Sequence, residues 1–213
     1  PPPPPPVAGL PLDEAAAVAA ASTSLGREGY RKGIQTVVWE ASDRNGDALE
    51  YAVSYQVEGD TGWHLLQAGL RAKIFAWDTS LAPDGAYRVK IAASDEAANA
   101  PQTVLIGEHE SQVFDIDNTA PRIELGTVRV TGATRTLPFT VRDGQSPIQR
   151  VEVWEGGDSW RVVYPTDGIA DALVEQFEAV LSPAADAAGG VGATVVTVRA
   201  TDALRNTVTV SGQ

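Results

Sequence analysis

Apolar and polar residues alternate with a period of two through most of this chain. Leu49, Tyr51, Val53, Tyr55 and Val57 fall on one face of a stretch whose intervening positions are mainly polar. Tyr87, Val89, Ile91 and Ala93 do the same against Arg88, Lys90 and Ala92. That alternation predicts strands with one buried face. Further strands are predicted over 34–40, 63–66, 74–77 and 110–116. Turn signals separate them at Asp43-Arg-Asn-Gly-Asp47, Gly59-Asp-Thr-Gly62 and Pro83-Asp-Gly85, whose residues supply the special backbone angles and side-chain caps of tight turns. A second round starts at Pro121, with strands expected over 123–130, 137–141, 148–155, 160–164, 194–200 and 206–210. Ile169, Leu173, Val174, Phe177 and Leu181 are spaced nearly helically, while Phe177, Ala179 and Leu181 fit a strand face. The reading is a short helical turn over 169–173 followed by a strand.

The two rounds are a degenerate repeat at a spacing of about 100 residues, the size of one β-sandwich. Asp43 and Asp143 each follow a strand and open a turn, and Trp63 and Trp160 each follow a hairpin turn. Val89-Lys-Ile-Ala-Ala-Ser-Asp95-x-x-x-Asn99 matches Val196-Thr-Val-Arg-Ala-Thr-Asp202-x-x-x-Asn206. A strand that ends in Ser/Thr-Asp with a following Asn reads as a loop held by short polar side chains. The repeat divides the chain into residues 1–29, a Pro-rich and Ala-rich linker; 30–118, one sandwich; and 119–213, another. In the linker, Pro1 to Pro6 suits a stiff polyproline II spacer, and Asp13 to Ala21 a helical turn or two. Asp117-Asn-Thr-Ala-Pro121 joins the sandwiches, and Pro121 biases it toward an extended, stiff joint.

The fold class expected is therefore all-β, two tandem β-sandwiches. Tyr87 opens its strand just past a turn, the position of a tyrosine corner, where a buried ring bonds its hydroxyl to nearby backbone. That role is architectural. Trp39 is assigned to the core.

The net charge of −12, from 16 basic and 28 acidic residues in 213, argues against nucleic acid, which needs clustered Lys and Arg. No apolar run is long enough for a membrane helix. With no cysteine, disulfides and Cys-ligated metals are excluded, though export is not. The chain also has no Met, which suggests a processed chain or a piece of a longer protein.

Chemistry is hard to assemble from these residues. There is no Cys nucleophile, and the two histidines are His64, expected on a solvated strand face, and His109, expected in a polar loop. They cannot build the usual zinc sites, and no pair among the 28 acids is singled out for glycoside hydrolysis. Asp43-x-Asn45-x-Asp47 has the alternating oxygens that begin a calcium loop but lacks the distal Glu. Asp115-Ile-Asp117-Asn118 resembles the calcium-binding linker of cadherins. Turn and linker chemistry explains both, so no catalytic, cofactor-binding or metal residue is assigned. Trp63 and Trp160 are candidates for stacking on a sugar ring or for cross-strand packing.

Residues 30–118 resemble a fibronectin type III domain. The marks are Trp39 in the second strand, Tyr55 in the third, and Leu81-x-Pro-x-Gly-x-Tyr-x-Val-x-Ile-x-Ala. Residues 119–211 resemble a bacterial immunoglobulin-like domain, without a Tyr at the corner position near Thr194. The wording Trp-Glu-Ala-Ser-Asp-Arg-Asn-Gly-Asp and Phe-Asp-Ile-Asp-Asn-Thr-Ala-Pro is similar to sandwich pairs in large exported bacterial proteins. The resemblance implies a non-catalytic spacer, assembly subunit or adhesion and protein-interaction module, secreted, periplasmic or on the cell surface. Its partner is expected to be a protein or a second copy, met through edge strands. The alternatives are a carbohydrate-binding accessory module of a secreted hydrolase, which needs coplanar exposed aromatics, and a calcium-stiffened adhesin.

Overall fold

The computed structural model describes residues 32–182 and 195–212. The Pro-rich and Ala-rich residues 1–29, and Thr194, lie outside them. The described residues contain strands and turns and no helix, and the chain divides into two compact units at Asn118 and Thr119. Each unit is a β-sandwich, so the fold is all-β with two sandwiches in tandem.

The described residues of the first unit form seven strands: β1 (Ile34–Val38), β2 (Glu50–Val57), β3 (His64–Leu70), β4 (Ile74–Asp78), β5 (Gly85–Ser94), β6 (Ile106–Glu110) and β7 (Phe114–Ile116). β1 and β4 pair as one sheet; the other runs β3-β2-β5, with β6 and β7 both paired to β5. The expected strand over 110–116 is thus two short strands, and His109 lies in β6 rather than in a loop. The alternation of β2 is realised as expected: Tyr51, Val53 and Tyr55 are buried, with Leu49 and Val57 packed at the margin.

A cluster of rings spans both sheets of this unit. Trp77 of β4 lies 5.0 Å from Tyr55 of β2 and 5.8 Å from Tyr87 of β5, and Tyr87 lies 6.4 Å from Phe114 of β7. Trp77 and Tyr87 are fully buried. The Tyr87 hydroxyl donates to the Pro83 carbonyl at 2.7 Å, which is the corner geometry expected from sequence. Leu81, by contrast, is 73% exposed, and Ala82 takes the buried place in that turn. Trp39 is also displaced from the role expected of it. It stands one residue beyond β1, edge-on to Tyr51 at 5.3 Å, and is only partly buried against the core. The buried tryptophan is Trp77.

The second unit contains β8 (Arg122–Leu125), β9 (Arg129–Thr131), β10 (Thr134–Arg142), β11 (Ile148–Trp154), β12 (Arg161–Val163), β13 (Val174–Leu181), β14 (Val196–Asp202) and β15 (Thr207–Gly212). One sheet runs β13-β10-β8 with β9 also on β10; the other runs β12-β11-β14-β15. The single strand expected over 123–130 is broken into β8 and β9, because the chain leaves the β10 edge at Gly126. Phe139 and Phe177 face each other across β10 and β13, stacked at 5.0 Å, and pack with Val151, Val153 and Val198 from the opposite sheet.

The helical turn expected over 169–173 is absent. The buried carboxylate of Glu175 accepts the amides of Asp171 and Ala172 at 3.0 and 2.9 Å. The Leu173 and Ala172 carbonyls accept from Asp143 and Ile148. These groups are therefore committed to tertiary partners instead of a helical ladder. β13 then alternates strictly, with Phe177, Ala179 and Leu181 buried.

Two predictions follow from the ring cluster. Trp77→Ala costs the first unit about 3–5 kcal/mol through the cavity it leaves, Trp39→Ala costs clearly less, and the second unit's denaturant transition stays in place. Tyr87→Phe costs about 0.5–1.5 kcal/mol near neutral pH. Burial, with smaller contributions from Tyr55 and Asp84, pushes the Tyr87 phenol from 10.0 to about 12. A pKa raised on folding means that its contribution to stability is full below about pH 10 and disappears as pH climbs through about 12. The thermal stability of the first unit should fall over that window, and less so in Tyr87→Phe.

Candidate functional site

Strand ends place the candidate residues. Asp43 follows β1 and begins the turn into β2. Its Oδ1 accepts the amides of Asn45 at 2.7 Å and Asp47 at 3.2 Å, a side-chain-capped turn. Those amides, Asp47 first, hold its pKa below the ordinary carboxylate value. The turn meets the loop after β5, where Asp95 is buried and accepts the Leu105 amide through Oδ1 at 2.7 Å. Asn99 bridges them, donating from Nδ2 to Asp47 Oδ2 at 3.2 Å and to the Asp95 carbonyl at 3.3 Å. Asp43, Asp47 and Asp95 each bring a carboxylate oxygen within 4.8 Å of the others.

The second unit repeats the arrangement. Asp143 Oδ1 accepts the amides of Gln145 and Ser146, both at 2.8 Å. Fully buried Asp202 accepts the Asn206 amide and the Asn206 side chain, again both at 2.8 Å. The repeated Asp-x-x-x-Asn motif is thus a loop clasp in both sandwiches. Asp43 and Asp47 were visible as a pair from sequence. Asp95 joins them only through the fold, though its place in the repeat marks it as a residue at a strand exit.

In the joining segment, Asp115 is exposed in β7 and Asp117 is buried. Asn118 acts as a fastener: its amide donates to Asp84 Oδ1 at 2.6 Å, and its Nδ2 donates to the Thr79 and Ala82 carbonyls at 2.8 and 2.9 Å. These bonds tie the end of the first unit to the turn that carries the tyrosine corner.

Trp63, Trp160 and His64 are also engaged, while His109 is exposed in β6. Lys90 lies 5.0 Å above the Trp63 ring and Arg199 lies 4.2 Å above the Trp160 ring, distances at which the cation meets the ring's negative face. His64 Nε2 and Asp60 Oδ2 are 2.8 Å apart, and this bond holds the Asp60 carboxyl below its ordinary pKa. Sequence reasoning did not single out Glu152. It is buried, yet it takes two bonds from Arg199 at 2.7 and 2.9 Å and one from Arg150 at 2.7 Å. Burial pushes its pKa up, and the two guanidinium groups more than offset that, leaving it lowered. Trp160, Arg199, Glu152 and Arg150 form one chain of contacts along β11 and β14, with cross-strand pairing as its physical basis.

No family model matches the chain, and no curated protein matches it. Among solved structures, it is similar to the FN1-FN3 domains of chicken CNTN1, a set of fibronectin type III domains. The identity is 15% and the TM-score 0.31, over 87% of this chain and 64% of that one. The match therefore spans a little under two thirds of that protein's solved segment. The fold class stated above rests on this chain's own strand pairing.

The clasps are testable as structure. Asp202→Ala should cost the second unit about 1–3 kcal/mol by stranding the buried Asn206 donors. Asp95→Ala should act on the first unit alone. Denaturant unfolding followed separately for the two units measures both.

Proposed function

We propose that this chain is a non-catalytic tandem β-sandwich module of a larger exported bacterial protein, serving as a spacer, assembly subunit or protein-interaction module outside the cytoplasm. One observation supports this reading above others. Four of the side chains that suggested chemistry are engaged in holding loops and strands: His64 with Asp60, Trp63 under Lys90, Trp160 under Arg199, and Asp43 in its capped turn. This reading assigns contact to backbone edges. Among the described residues β3 is paired only with β2, its Leu65 is 57% exposed, and β6 is exposed along its whole length. Unpaired edge N–H and C=O groups recruit another strand, and exposed apolar residues beside them add burial.

The carbohydrate alternative calls for open, coplanar aromatic faces, and the cations over Trp63 and Trp160 count against those two rings. The calcium alternative has the convergence of Asp43, Asp47 and Asp95 in its favour, set against the amides those carboxylates already serve.

Sedimentation velocity on the full chain over a concentration series tests the contact reading. Association should grow with concentration, and Leu65→Lys, which puts a charge on the β3 edge, should weaken it about tenfold, or 1.4 kcal/mol. Association indifferent to that substitution, or a strict monomer at every concentration, would contradict assembly through this edge.

A further inference from the structure

The two sandwiches differ in one respect that the repeat makes informative. In the second unit, the β10 edge over Phe139–Arg142 carries β8, in the register Phe139 to Leu125, Thr140 to Glu124, Val141 to Ile123 and Arg142 to Arg122. In the first unit, the matching edge, Trp39 to Ser42, carries no strand among the described residues. A groove of roughly 820 Å³ runs along it, bounded by Val38 to Asp43 on one side and by Ile91, Leu105 and Ile106 on the other. Its lips are apolar and uncovered: Val38 and Ile106 are each 67% exposed and Leu105 65%. Trp39 Nε1 is enclosed there with no hydrogen-bond partner among the described residues.

The chain's own sequence supplies a segment at the matching place. One constant spacing relates Asp43 to Asp143, Trp39 to Phe139, Gly26 to Gly126 and Leu25 to Leu125. Residues 22–26, Ser-Thr-Ser-Leu-Gly, thereby stand where Arg-Ile-Glu-Leu-Gly stands in the second unit. The glycine is the telling match. A Cβ on Gly126 would sit 2.8 Å from the Pro138 carbonyl oxygen, and the Gly126 amide donates to that same oxygen at 2.8 Å. Only glycine allows so close an approach where the strand leaves the edge. The entry to the two edges also agrees: a turn with Gly33 at φ 76 precedes β1, and one with Gly132 at φ 60 precedes β10.

We propose that the groove beside Val38 to Asp43 is the docking edge for residues 22–26 of the same chain. Leu25 then stands opposite Trp39, Ser24 opposite Glu40, Thr23 opposite Ala41 and Ser22 opposite Ser42. Thr23 and Leu25 face the core, as Ile123 and Leu125 do, and the first sandwich begins near Ser22 rather than at Tyr30. This goes beyond the contact reading, because it removes one edge from those available to a partner and leaves β3 unaffected. The sedimentation result and the result below can fail independently.

A cysteine-free chain makes the test clean. Directly opposed residues of antiparallel strands have Cα atoms about 4.5–5.5 Å apart, within the reach of a disulfide. The full chain carrying Ser24→Cys with Glu40→Cys is oxidised mildly at low concentration, beside a control with Ser24→Cys and Gln67→Cys, which pairs Ser24 with a strand of the other sheet. The proposal expects an intramolecular disulfide in the monomer of the first variant and not of the control. It also expects Leu25→Asp, in the otherwise unchanged chain, to lower the first unit's stability and leave the second unit's transition in place. A disulfide that forms only between two copies would assign the groove to a second chain and overturn the proposal. So would the absence of any disulfide in a variant that keeps its normal unfolding transition.

Discussion

The contact on which the first sandwich depends is the meeting of Trp77 with Tyr87 and Tyr55. Trp77 comes from the sheet that contains β1 and β4, the tyrosines from the sheet that contains β2 and β5, so the cluster is the place where the layers are joined. Aromatic side chains bury large areas and prefer tilted or edge-on geometry, and the observed ring spacings of 5.0 and 5.8 Å meet that preference. Tyr87 carries a second duty, because its hydroxyl fastens the turn at Pro83. Asn118 binds the carbonyls of Thr79 and Ala82 beside the same turn. Core packing, corner and chain exit are therefore mechanically continuous. The second sandwich lacks this tyrosine and relies on the stacked Phe139 and Phe177 pair within one sheet and a valine-rich layer opposite it.

Polar residues in this protein follow a common logic. Burying a carboxylate is costly unless its lone pairs are taken up, and Asp95, Glu175 and Asp202 are each buried with backbone amides as donors. Each of them fixes a loop that would otherwise have free amides. Glu152 solves the same problem with guanidinium groups. The chain's acidity is thus partly structural, because these carboxylates cap loops or pair with guanidinium groups.

Period-two alternation was enough to locate β2, β5 and the core half of β13, because half-buried strands write their burial directly into the order of residues. Tyr87 was legible because a turn and a strand of fixed phase surround it. Trp39 was assigned to the core and Trp77 passed over, since both sit in apolar runs and only the packing of one sheet on the other decides which is enclosed. The segment over 169–173 misled because its apolar spacing is set by irregular contacts to Glu175 and Asp143, which no local period describes. The same limit hid Asp95 from the Asp43 and Asp47 turn: the three meet through strand pairing between distant parts of the chain. The repeat compensates in part, since it aligns Asp95 with Asp202 and Asp43 with Asp143, and a shared position in two sandwiches points to a shared structural task.

The proposed function has the candidate side chains serving loops and strands, and partners met by backbone edges. Amide hydrogen exchange, resolved by residue, addresses this most directly. In the dilute chain, amides of β2 and β5 should exchange at the rate of global unfolding, while the outward amides of β3 exchange quickly. Raising the concentration, or adding a binding partner, should slow exchange along β3 first. Outward β3 amides as protected in the dilute chain as those of β2, or new protection confined to the Asp43 and Asp95 loops, would contradict it.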